Sequence, residues 1–310
     1  MEVPNQIKTE ILTPNLVALL SNLLSCFQTI SHKLHQNQFS SEIAGTENSF
    51  GDNQLKVDLA IDKIIFDCLI DTKLVTYGTS EETPILTPCN GTDFVVAFDP
   101  LDGSSIMEVN YSVGTIMGIW LGDTLVGRTG REQVASLVVM YGPRTTIALA
   151  INGDHPKCFE LTLGVNQWEL TKTLRISEDA KTFAPGNLRA TNENVNYQKL
   201  INHYIASNYA LRYTGGMVPD IYHILIKSQG VFMNVSSNSH KAKLRLVFEC
   251  APIALIIEAA GGLSCPSPNE NQADTFKGSV LDVVIEDLDN RIGICLGSKN
   301  EVLKFMKYML

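Results

Sequence analysis

The sequence has a deficit of basic residues, and this deficit excludes one class of partner. Lys and Arg number 24 against 33 Asp and Glu, which gives a formal net charge of −9 and an isoelectric point of about 5.2. Affinity for nucleic-acid phosphates comes largely from clustered Lys and Arg, so the composition predicts no nucleic-acid partner. A negative field also disfavours a small anionic substrate unless something local reverses it.

Hydrophobic runs long enough to span a membrane are absent as well. The most apolar stretches, such as residues 113–121, are far shorter than the roughly 20 residues that cross a bilayer, so no membrane association is predicted. The N-terminus has neither a secretory core nor the composition of a transit peptide. We therefore expect a cytoplasmic protein, although a chain already trimmed of an organelle-targeting segment would look the same.

Paired cysteine motifs are also missing. The seven cysteines are scattered singly, without a CxxC pair, and an odd number does not suit a complete disulfide framework. Reduced thiols in a reducing compartment are the expected state of all seven.

The chain has enough apolar residues for a large core: 45% of its 310 residues are apolar and 18% are charged. Helical periodicity predicts helices over residues 15–34, 55–72, 197–207, 218–227, 251–260 and 300–310. Strands are predicted over residues 74–77, 94–98, 113–121, 136–151 with a turn at 142–143, 158–176, 230–235, 242–248 and 292–296. Because these elements mix without regular βαβ alternation, the fold class is predicted to be α+β, in layers. A boundary near Pro185-Gly186 separates an N-terminal half, 1–183, from a C-terminal half, 184–310.

The most informative segment is residues 99–105, Asp-Pro-Leu-Asp-Gly-Ser-Ser, which follows an apolar strand directly. We expect the proline to stop that strand. Asp99 and Asp102 can converge on one cation with the Leu101 carbonyl as a further oxygen ligand, a set that suits Mg²⁺ or Mn²⁺. Backbone N–H groups and hydroxyls that could cradle a phosphate follow at Gly103, Ser104 and Ser105. The alternative is a capped turn with solvated acids, which the Gly-Ser-Ser continuation makes the weaker interpretation.

Five other acids lie near the ends of predicted strands or helices. Glu81 and Glu82 come just after a short strand, where one can bind a metal while the other faces a water. Asp52 and Asp58 lie at the start of a helix and, taken alone, are most simply a helix cap and a surface charge. Glu249 lies inside an apolar run, so it must be paired or coordinated.

Together these segments resemble the metal-dependent sugar-bisphosphatase superfamily, which includes fructose-1,6-bisphosphatase and inositol monophosphatase. The motifs occur in family order from about residue 15 to the C-terminus: Gly51-Asp52, Ser80-Glu81-Glu82, residues 99–105, and Lys243-Leu-Arg-Leu with Phe248-Glu249. The resemblance implies the layered αβαβα fold of these sugar phosphatases and hydrolysis of a sugar 1-phosphate without a covalent enzyme intermediate.

The resemblance also assigns roles to individual residues. It implies two to three Mg²⁺ ions per site, with Mn²⁺ as an alternative, and places most of the ligands in the N-terminal half. The implied metal ligands are Asp52, Glu81, Asp99, the Leu101 carbonyl, Asp102 and Glu249. Glu82 with Asp58 matches the family pair that takes the proton from the attacking water, a role that suits two neighbouring carboxylates sharing a proton.

A bisphosphate also needs cations at its far end. The alternation of residues 240–246 predicts an extended strand with Lys241, Lys243 and Arg245 on one face. Substrate contacts implied by the resemblance are Asn187, Arg189, Arg212, Tyr213, Met217, Lys243 and Arg245, mostly in the C-terminal half. In the family the arginine matching Arg212 comes from a neighbouring subunit, which implies a homodimer or homotetramer. Met217 is as readily explained as core filler.

Within the superfamily, the sequence of residues 105–115, 187–191 and 211–220 is most similar to that of the sedoheptulose-bisphosphatase branch. The implied substrate is a small-molecule sugar bisphosphate, sedoheptulose 1,7-bisphosphate, cleaved to sedoheptulose 7-phosphate and phosphate. A fructose-1,6-bisphosphatase, or an enzyme that acts on both sugars, is the enzymatic alternative. A catalytically silent sugar-phosphate sensor on the same fold is the alternative from another class, disfavoured because all seven acids are present.

Overall fold

A computed structural model describes residues 1–11, 13–36, 39, 43–48, 53–165, 167–267 and 278–309. Within these ranges the chain forms eight α-helices and fifteen β-strands. The helices are α1 (Asn5–Lys8), α2 (Pro14–His35), α3 (Lys56–Thr72), α4 (Ser104–Met107), α5 (Val195–Ala206), α6 (Met217–Lys227), α7 (Ala251–Ala259) and α8 (Lys299–Met309). The strands are β1 (Ile43–Glu47), β2 (Asn53–Leu55), β3 (Val75–Ser80), β4 (Thr87–Pro88), β5 (Phe94–Asp102), β6 (Val113–Leu121), β7 (Gln133–Tyr141), β8 (Thr145–Ile151), β9 (Lys157–Leu163), β10 (Trp168–Thr173), β11 (Thr182–Gly186), β12 (Ala210–Leu211), β13 (Val231–Asn234), β14 (Leu263–Ser267) and β15 (Gly293–Gly297). None of the helices in these ranges is both long and apolar enough to cross a bilayer.

Two large sheets organise the chain. The first has eight strands in the order β10-β9-β8-β7-β6-β5-β3-β4, and all its neighbours are antiparallel except β3 and β5, which are parallel. The second has five strands in the order β12-β11-β13-β15-β14, with parallel pairs on both sides of β11 and antiparallel pairs on both sides of β15. This mixture confirms the predicted α+β class.

Three separate cores define the layers between these sheets. Side chains along β5 alternate: Val95 and Ala97 join one core, whereas Val96 and Phe98 join another. The second of these cores also contains the apolar faces of α2 and α3, while the first contains α6, α7 and one face of the small sheet. The third core packs α5 and α8 against the other face of the small sheet. Helix, sheet, helix, sheet and helix therefore follow one another, which confirms the layered αβαβα prediction.

Local signals place most element ends close to the predicted positions. Helix α2 begins at Pro14, where the Thr13 hydroxyl accepts a hydrogen bond from the Leu16 N–H at 3.4 Å. Helix α3 ends where Lys73 adopts a left-handed conformation, with φ of 57°. The predicted turn at residues 142–143 separates β7 from β8.

Three of the predicted elements are wrong. The predicted strand over residues 158–176 is two antiparallel strands, β9 and β10. Strand β5 does not stop at Pro100, because a bulge accommodates the proline and the strand continues to Asp102. The predicted strand over residues 242–248 does not form. Its first part is irregular, and Leu246–Cys250 is a π-helical turn that leads into α7. The strand was predicted because polar and apolar residues alternate over 240–246. Every residue from 245 to 251 is buried, which favours the helical turn instead.

The packing of α2 onto the large sheet predicts a large cost for a cavity there. Phe27 is fully buried in this core. We expect Phe27→Ala to lower the free energy of unfolding by about 3–5 kcal/mol, measured by urea unfolding. The control Thr29→Ala, at an exposed position on the same helix, should change it by less than about 0.5 kcal/mol. Equal effects of the two substitutions would contradict the described packing of α2.

Candidate active site

Two carboxylates come from the bulge near the end of β5. Asp99 is opposite Ile116 and Asp102 is opposite Gly114, so three steps along β5 match two along β6. The Pro100 carbonyl in this bulge accepts a hydrogen bond from the Thr115 hydroxyl at 2.9 Å. The Asp99 Oδ1 accepts the Leu101 N–H at 2.9 Å, which fixes the buried carboxylate against its own turn.

A third carboxylate is delivered by the π-helical turn. The Arg245 carbonyl accepts the Cys250 N–H at 3.1 Å, the five-residue closure of a π turn, a feature that is frequent at functional sites. The buried Glu249 Oε2 accepts the Arg245 N–H at 2.6 Å. Carboxylate oxygens of Asp99, Asp102 and Glu249 lie within 4.8 Å of one another. Three converging, largely buried oxygen donors fit a hard divalent cation, so these three acids, which the sequence indicated, form a candidate ligand set.

Burial and charge repulsion both raise the pKa values of these acids. Burial, then the charges of Glu81 and Asp102, raise the pKa of Asp99 well above its usual range. Burial and the charge of Glu81 likewise raise the pKa of Glu249. A cation at this position would remove the repulsion that these shifts report.

Asp102 also connects the large sheet to the helix layer behind it. Its carboxylate accepts the N–H groups of Val218 at 2.6 Å and Met217 at 3.3 Å, at the first turn of α6. The helix N-terminus favours a negative charge there. Burial raises the pKa of Asp102 to about 7, and these two backbone hydrogen bonds oppose the rise.

Glu81 lies beside the three-acid group at the end of β3. Its N–H donates to the Phe98 carbonyl at 3.1 Å, and its carboxylate forms an ion pair with the buried Arg245. The Asn48 side-chain amide donates to the Glu81 carbonyl at 3.0 Å. Glu81 is thus brought to the site, close enough to raise the pKa of both Asp99 and Glu249.

Glu82 and Asp58 form a second pair of acids. Burial raises the pKa of Glu82 to about 7, against the effect of the Gln54 side-chain amide, which donates to its Oε2 at 2.7 Å. Burial, followed by the charge of Glu82, raises the pKa of Asp58 to about 8, and a hydrogen bond with the Ser104 side chain opposes this. Asp58 is 6% exposed, which excludes the simple interpretation as a surface charge. Two acids that titrate near neutrality can exchange a proton with a water between them.

The Gly-Ser-Ser segment, residues 103–105, lies next to Asp58. Gly103 has φ of 81°, a left-handed conformation that favours glycine, and a Cβ there would lie in van der Waals range of Gly216. Ser104 is partly buried and contacts Asp58, whereas Ser105 is exposed.

The predicted contacts for the far end of the substrate lie in the C-terminal half, mostly at the surface. Burial, followed by the charges of Asp220 and Asp102, raises the pKa of the Tyr213 hydroxyl, and the charge of the exposed Arg189 opposes this. The Arg212 side chain is exposed and donates to the Leu211 carbonyl at 2.7 Å.

Other residues predicted as substrate contacts have structural partners. The Asn187 side-chain amide donates to the carbonyls of Val235 at 2.7 Å and His240 at 2.9 Å. The Met217 side chain is 4% exposed and belongs to the core between the sheets.

The predicted common face of Lys241, Lys243 and Arg245 is wrong. Both lysines are exposed, but Arg245 is 2% exposed and ion-paired with Glu81 and Asp289. The segment is not a strand, so alternation does not set the direction of these side chains. Asp52 lies outside the described residues.

Several residues around the site were not predicted from the sequence. The side-chain amides of Asn48 and Gln54 donate to the backbone carbonyls of Glu81 and Glu82, respectively. Asp62 is buried and accepts the Thr83 hydroxyl at 3.0 Å, next to the Glu81–Glu82 turn. Its spacing of four residues from Asp58 on a helix could have indicated a shared face.

The chain matches known proteins along its whole length. Residues 1–173 match the family model of the fructose-1-6-bisphosphatase N-terminal domain, and residues 176–310 match that of the C-terminal domain. The chloroplastic sedoheptulose-1,7-bisphosphatase of Triticum aestivum is 46% identical over 94% of this chain and 72% of its own length. A class 1 fructose-1,6-bisphosphatase of Geotalea uraniireducens is 34% identical over 100% of this chain and 96% of its own length.

Solved structures give the same result. A candidate sedoheptulose-1,7 bisphosphatase from Toxoplasma gondii superposes with a TM-score of 0.89 at 36% identity, covering 100% of this chain and 98% of that one. The holo fructose-1,6-bisphosphatase of Leishmania major has a TM-score of 0.86 at 26% identity, covering 99% and 98% of the two chains. The chain therefore belongs to the fructose-1,6-bisphosphatase family, whose members are phosphoric monoester hydrolases.

Proposed function

We propose that the protein hydrolyses the 1-phosphate of sedoheptulose 1,7-bisphosphate, giving sedoheptulose 7-phosphate and phosphate. The observation that carries this proposal is that the carboxylates of Asp99, Asp102 and Glu249 converge. Glu82 and Asp58, whose pKa values are raised to about 7 and about 8, complete the group of acids. Such an arrangement suits metal-assisted attack of water on a phosphoryl group. The choice of sugar is supported by 45–46% identity to sedoheptulose-1,7-bisphosphatases, against 34% to class 1 fructose-1,6-bisphosphatases.

The family is metal-dependent and generally uses divalent cations. In this chain we assign Mg²⁺, two to three ions per site, with Mn²⁺ as an alternative. The proposed ligands are Asp99, Asp102, Glu249, Glu81, the Leu101 carbonyl and, from outside the described residues, Asp52. Bound cations supply charge neutralisation at the phosphoryl oxygens and at the leaving oxygen.

The protein's own residues would handle the proton and the orientation of the phosphate. Glu82 and Asp58 take the proton of the attacking water, because their raised pKa values keep one proton shared between them near neutrality. Backbone N–H groups and hydroxyls of Gly103, Ser104 and Ser105 orient the phosphate that is cleaved.

The far phosphate would be held in the C-terminal half, 184–310, while most metal ligands lie in the N-terminal half, 1–183. We assign the far phosphate to Tyr213, Lys243 and Arg189, with Arg212 contributed by a neighbouring subunit and with Met217 and Arg245 supporting the sugar. Asn187 would position this region through its two hydrogen bonds to backbone carbonyls. The exposed apolar residues Leu188, Val195 and Leu211 near these positions support a subunit interface. We therefore propose a homodimer or homotetramer.

For location, we propose the cytoplasm. An organelle is the alternative, supported by the chloroplastic sedoheptulose-1,7-bisphosphatases among the relatives.

A second candidate activity, fructose-1,6-bisphosphate hydrolysis alone or beside the first, is supported by full-length relatives of that name. We expect kcat/KM with Mg²⁺ to be at least about tenfold higher for sedoheptulose 1,7-bisphosphate than for fructose 1,6-bisphosphate. Phosphate release from both sugars, measured with the same enzyme preparation, decides between them. An equal or higher value for the fructose compound would overturn the substrate choice. Tight binding of either sugar without release would instead identify a sensor.

The proposed ligand role of Glu81 predicts a severe loss of activity without unfolding. Glu81→Gln keeps the shape of the side chain but removes its charge, and should lower kcat by about 10³-fold or more. Circular dichroism should show the wild-type helix content. The control Asp123→Asn, at an exposed position, should retain wild-type kcat. Near-normal turnover of Glu81→Gln at saturating Mg²⁺ would contradict the ligand role.

The raised pKa values predict how metal-free protein responds to pH. A carboxylate whose folded pKa lies above its unfolded pKa stabilises the fold at low pH, and this contribution is lost as pH rises through the folded pKa. Those folded values are about 7 for Asp102 and Glu82 and about 8 for Asp58. The Tm of chelated protein should therefore fall from about pH 4, near the unfolded pKa of these acids, to about pH 8 and level off above it, and the rise in Tm on adding Mg²⁺ should grow over the same interval.

The variant Asp58→Asn tests the assignment of this pH effect. It removes the group that titrates highest, so the fall in Tm above about pH 7 should be shallower than in the wild type. Differential scanning fluorimetry in chelator, with ionic strength matched by NaCl, makes the comparison. A Tm that stays level or rises with pH in the chelated wild type would show that the buried acids do not titrate as described.

A further inference from the structure

The buried Arg245 lies between two acids that come from distant parts of the chain. Its guanidinium forms an ion pair with Glu81 through Nη1, and its Nε lies 3.3 Å from the Asp289 Oδ1. A buried guanidinium stays protonated, so its position depends on how acids compensate its charge. Of these two acids, Glu81 belongs to the candidate metal site, whereas Asp289 has been given no role in it.

Backbone pairing fixes Asp289 beside the π-helical turn. The Leu246 N–H donates to the Asn290 carbonyl at 2.7 Å, and the Ile292 N–H donates to the Leu244 carbonyl at 3.0 Å. These bonds make Arg245 and Arg291 antiparallel bridge partners. The segment that carries Asp289 is therefore aligned with the segment that leads into Glu249.

A second arginine fixes the Asp289 side chain. The Arg291 Nε lies 2.9 Å from the same Oδ1 that faces Arg245. The side chains thus form a chain of alternating charge: Arg291, Asp289, Arg245, Glu81. Because Asp289 is anchored at the outer end, the inner guanidinium has a charged partner that does not take part in cation binding.

We propose that Asp289 is a positioning residue for catalysis: it holds Arg245 in place so that Glu81 can turn from the guanidinium to the cation. This inference rests on the proposed function, since it assumes that Glu81 is a metal ligand. When the Glu81 carboxylate turns toward a cation, Arg245 loses the strength of one ion pair, and Asp289 still compensates the buried positive charge. Without the charge of Asp289, Arg245 binds Glu81 more strongly and competes with the cation.

The variant Asp289→Asn tests this, with Asp287→Asn as the matched control. Asparagine keeps the size of the side chain and removes the charge, and Asp287 is an exposed acid two residues away on the same segment. We expect Asp289→Asn to raise the Mg²⁺ concentration for half-maximal activity by about tenfold and to lower kcat by a similar factor. KM for the bisphosphate at saturating Mg²⁺ should change less than twofold, and Asp287→Asn should match the wild type.

A measurement without substrate separates this proposal from the proposed function. The Mg²⁺ concentration that produces half of the maximal rise in Tm should increase about tenfold in Asp289→Asn, as it does for activity. A lower Tm with unchanged Mg²⁺ dependence in both measurements would show that Asp289 only stabilises the fold, and would overturn the proposal. Absence of bisphosphate hydrolysis in the wild type would overturn the proposed function, while the Tm titration would still decide the role of Asp289.

If Asp289→Asn does not fold, Arg291→Lys provides the same test from the outer end of the chain of charges. Lysine keeps the positive charge but loses the Nε donor that fixes Asp289. The Mg²⁺ midpoint of the Tm titration should then increase in the same direction, by about threefold. An unchanged midpoint in this variant would contradict the proposal.

Discussion

Repulsion among buried carboxylates is the constraint on which the rest of the structure depends. Each of the three acids that converge within 4.8 Å is held by backbone N–H donors: Leu101 for Asp99, Met217 and Val218 for Asp102, and Arg245 for Glu249. Hydrogen bonds of this kind favour the charged form of an acid that burial disfavours. The backbone therefore fixes the geometry of these three acids before a cation binds, so binding requires little rearrangement of their side chains.

The layered fold is what brings those donors together. The bulge belongs to the large sheet, the first turn of α6 belongs to the helix layer behind it, and the π-helical turn leads into α7 of that same layer. This middle layer is covered on both sides by sheets, so its helices have little freedom to shift. A site built from elements of a closely packed interior is held more precisely than one built on surface loops.

The sequence was most informative where a single periodicity dominated. Helices α2 and α3 and most strands followed their apolar spacing, and the acids that converge were visible as motifs. The bulge at Pro100 was missed because proline usually ends a strand, and only tertiary pairing with β6 shows that it does not. Arg245 looked like an exposed cation because local alternation carries no information about the π-helical turn. Asp289 is far from the motifs along the chain and meets Arg245 only through long-range pairing.

The parallel pairing of β3 with β5 also limits which changes in length the chain can tolerate. Ser80 lies opposite Phe98, so Glu81 and Asp99 are the next residues on two neighbouring strands and lie side by side. Inserting one residue into either strand would displace one acid by about 3.3 Å and turn the side chains beyond it to the opposite face. Length variation among relatives should therefore gather in the loops outside this pair of strands, whereas the strands themselves accept substitutions but not insertions or deletions.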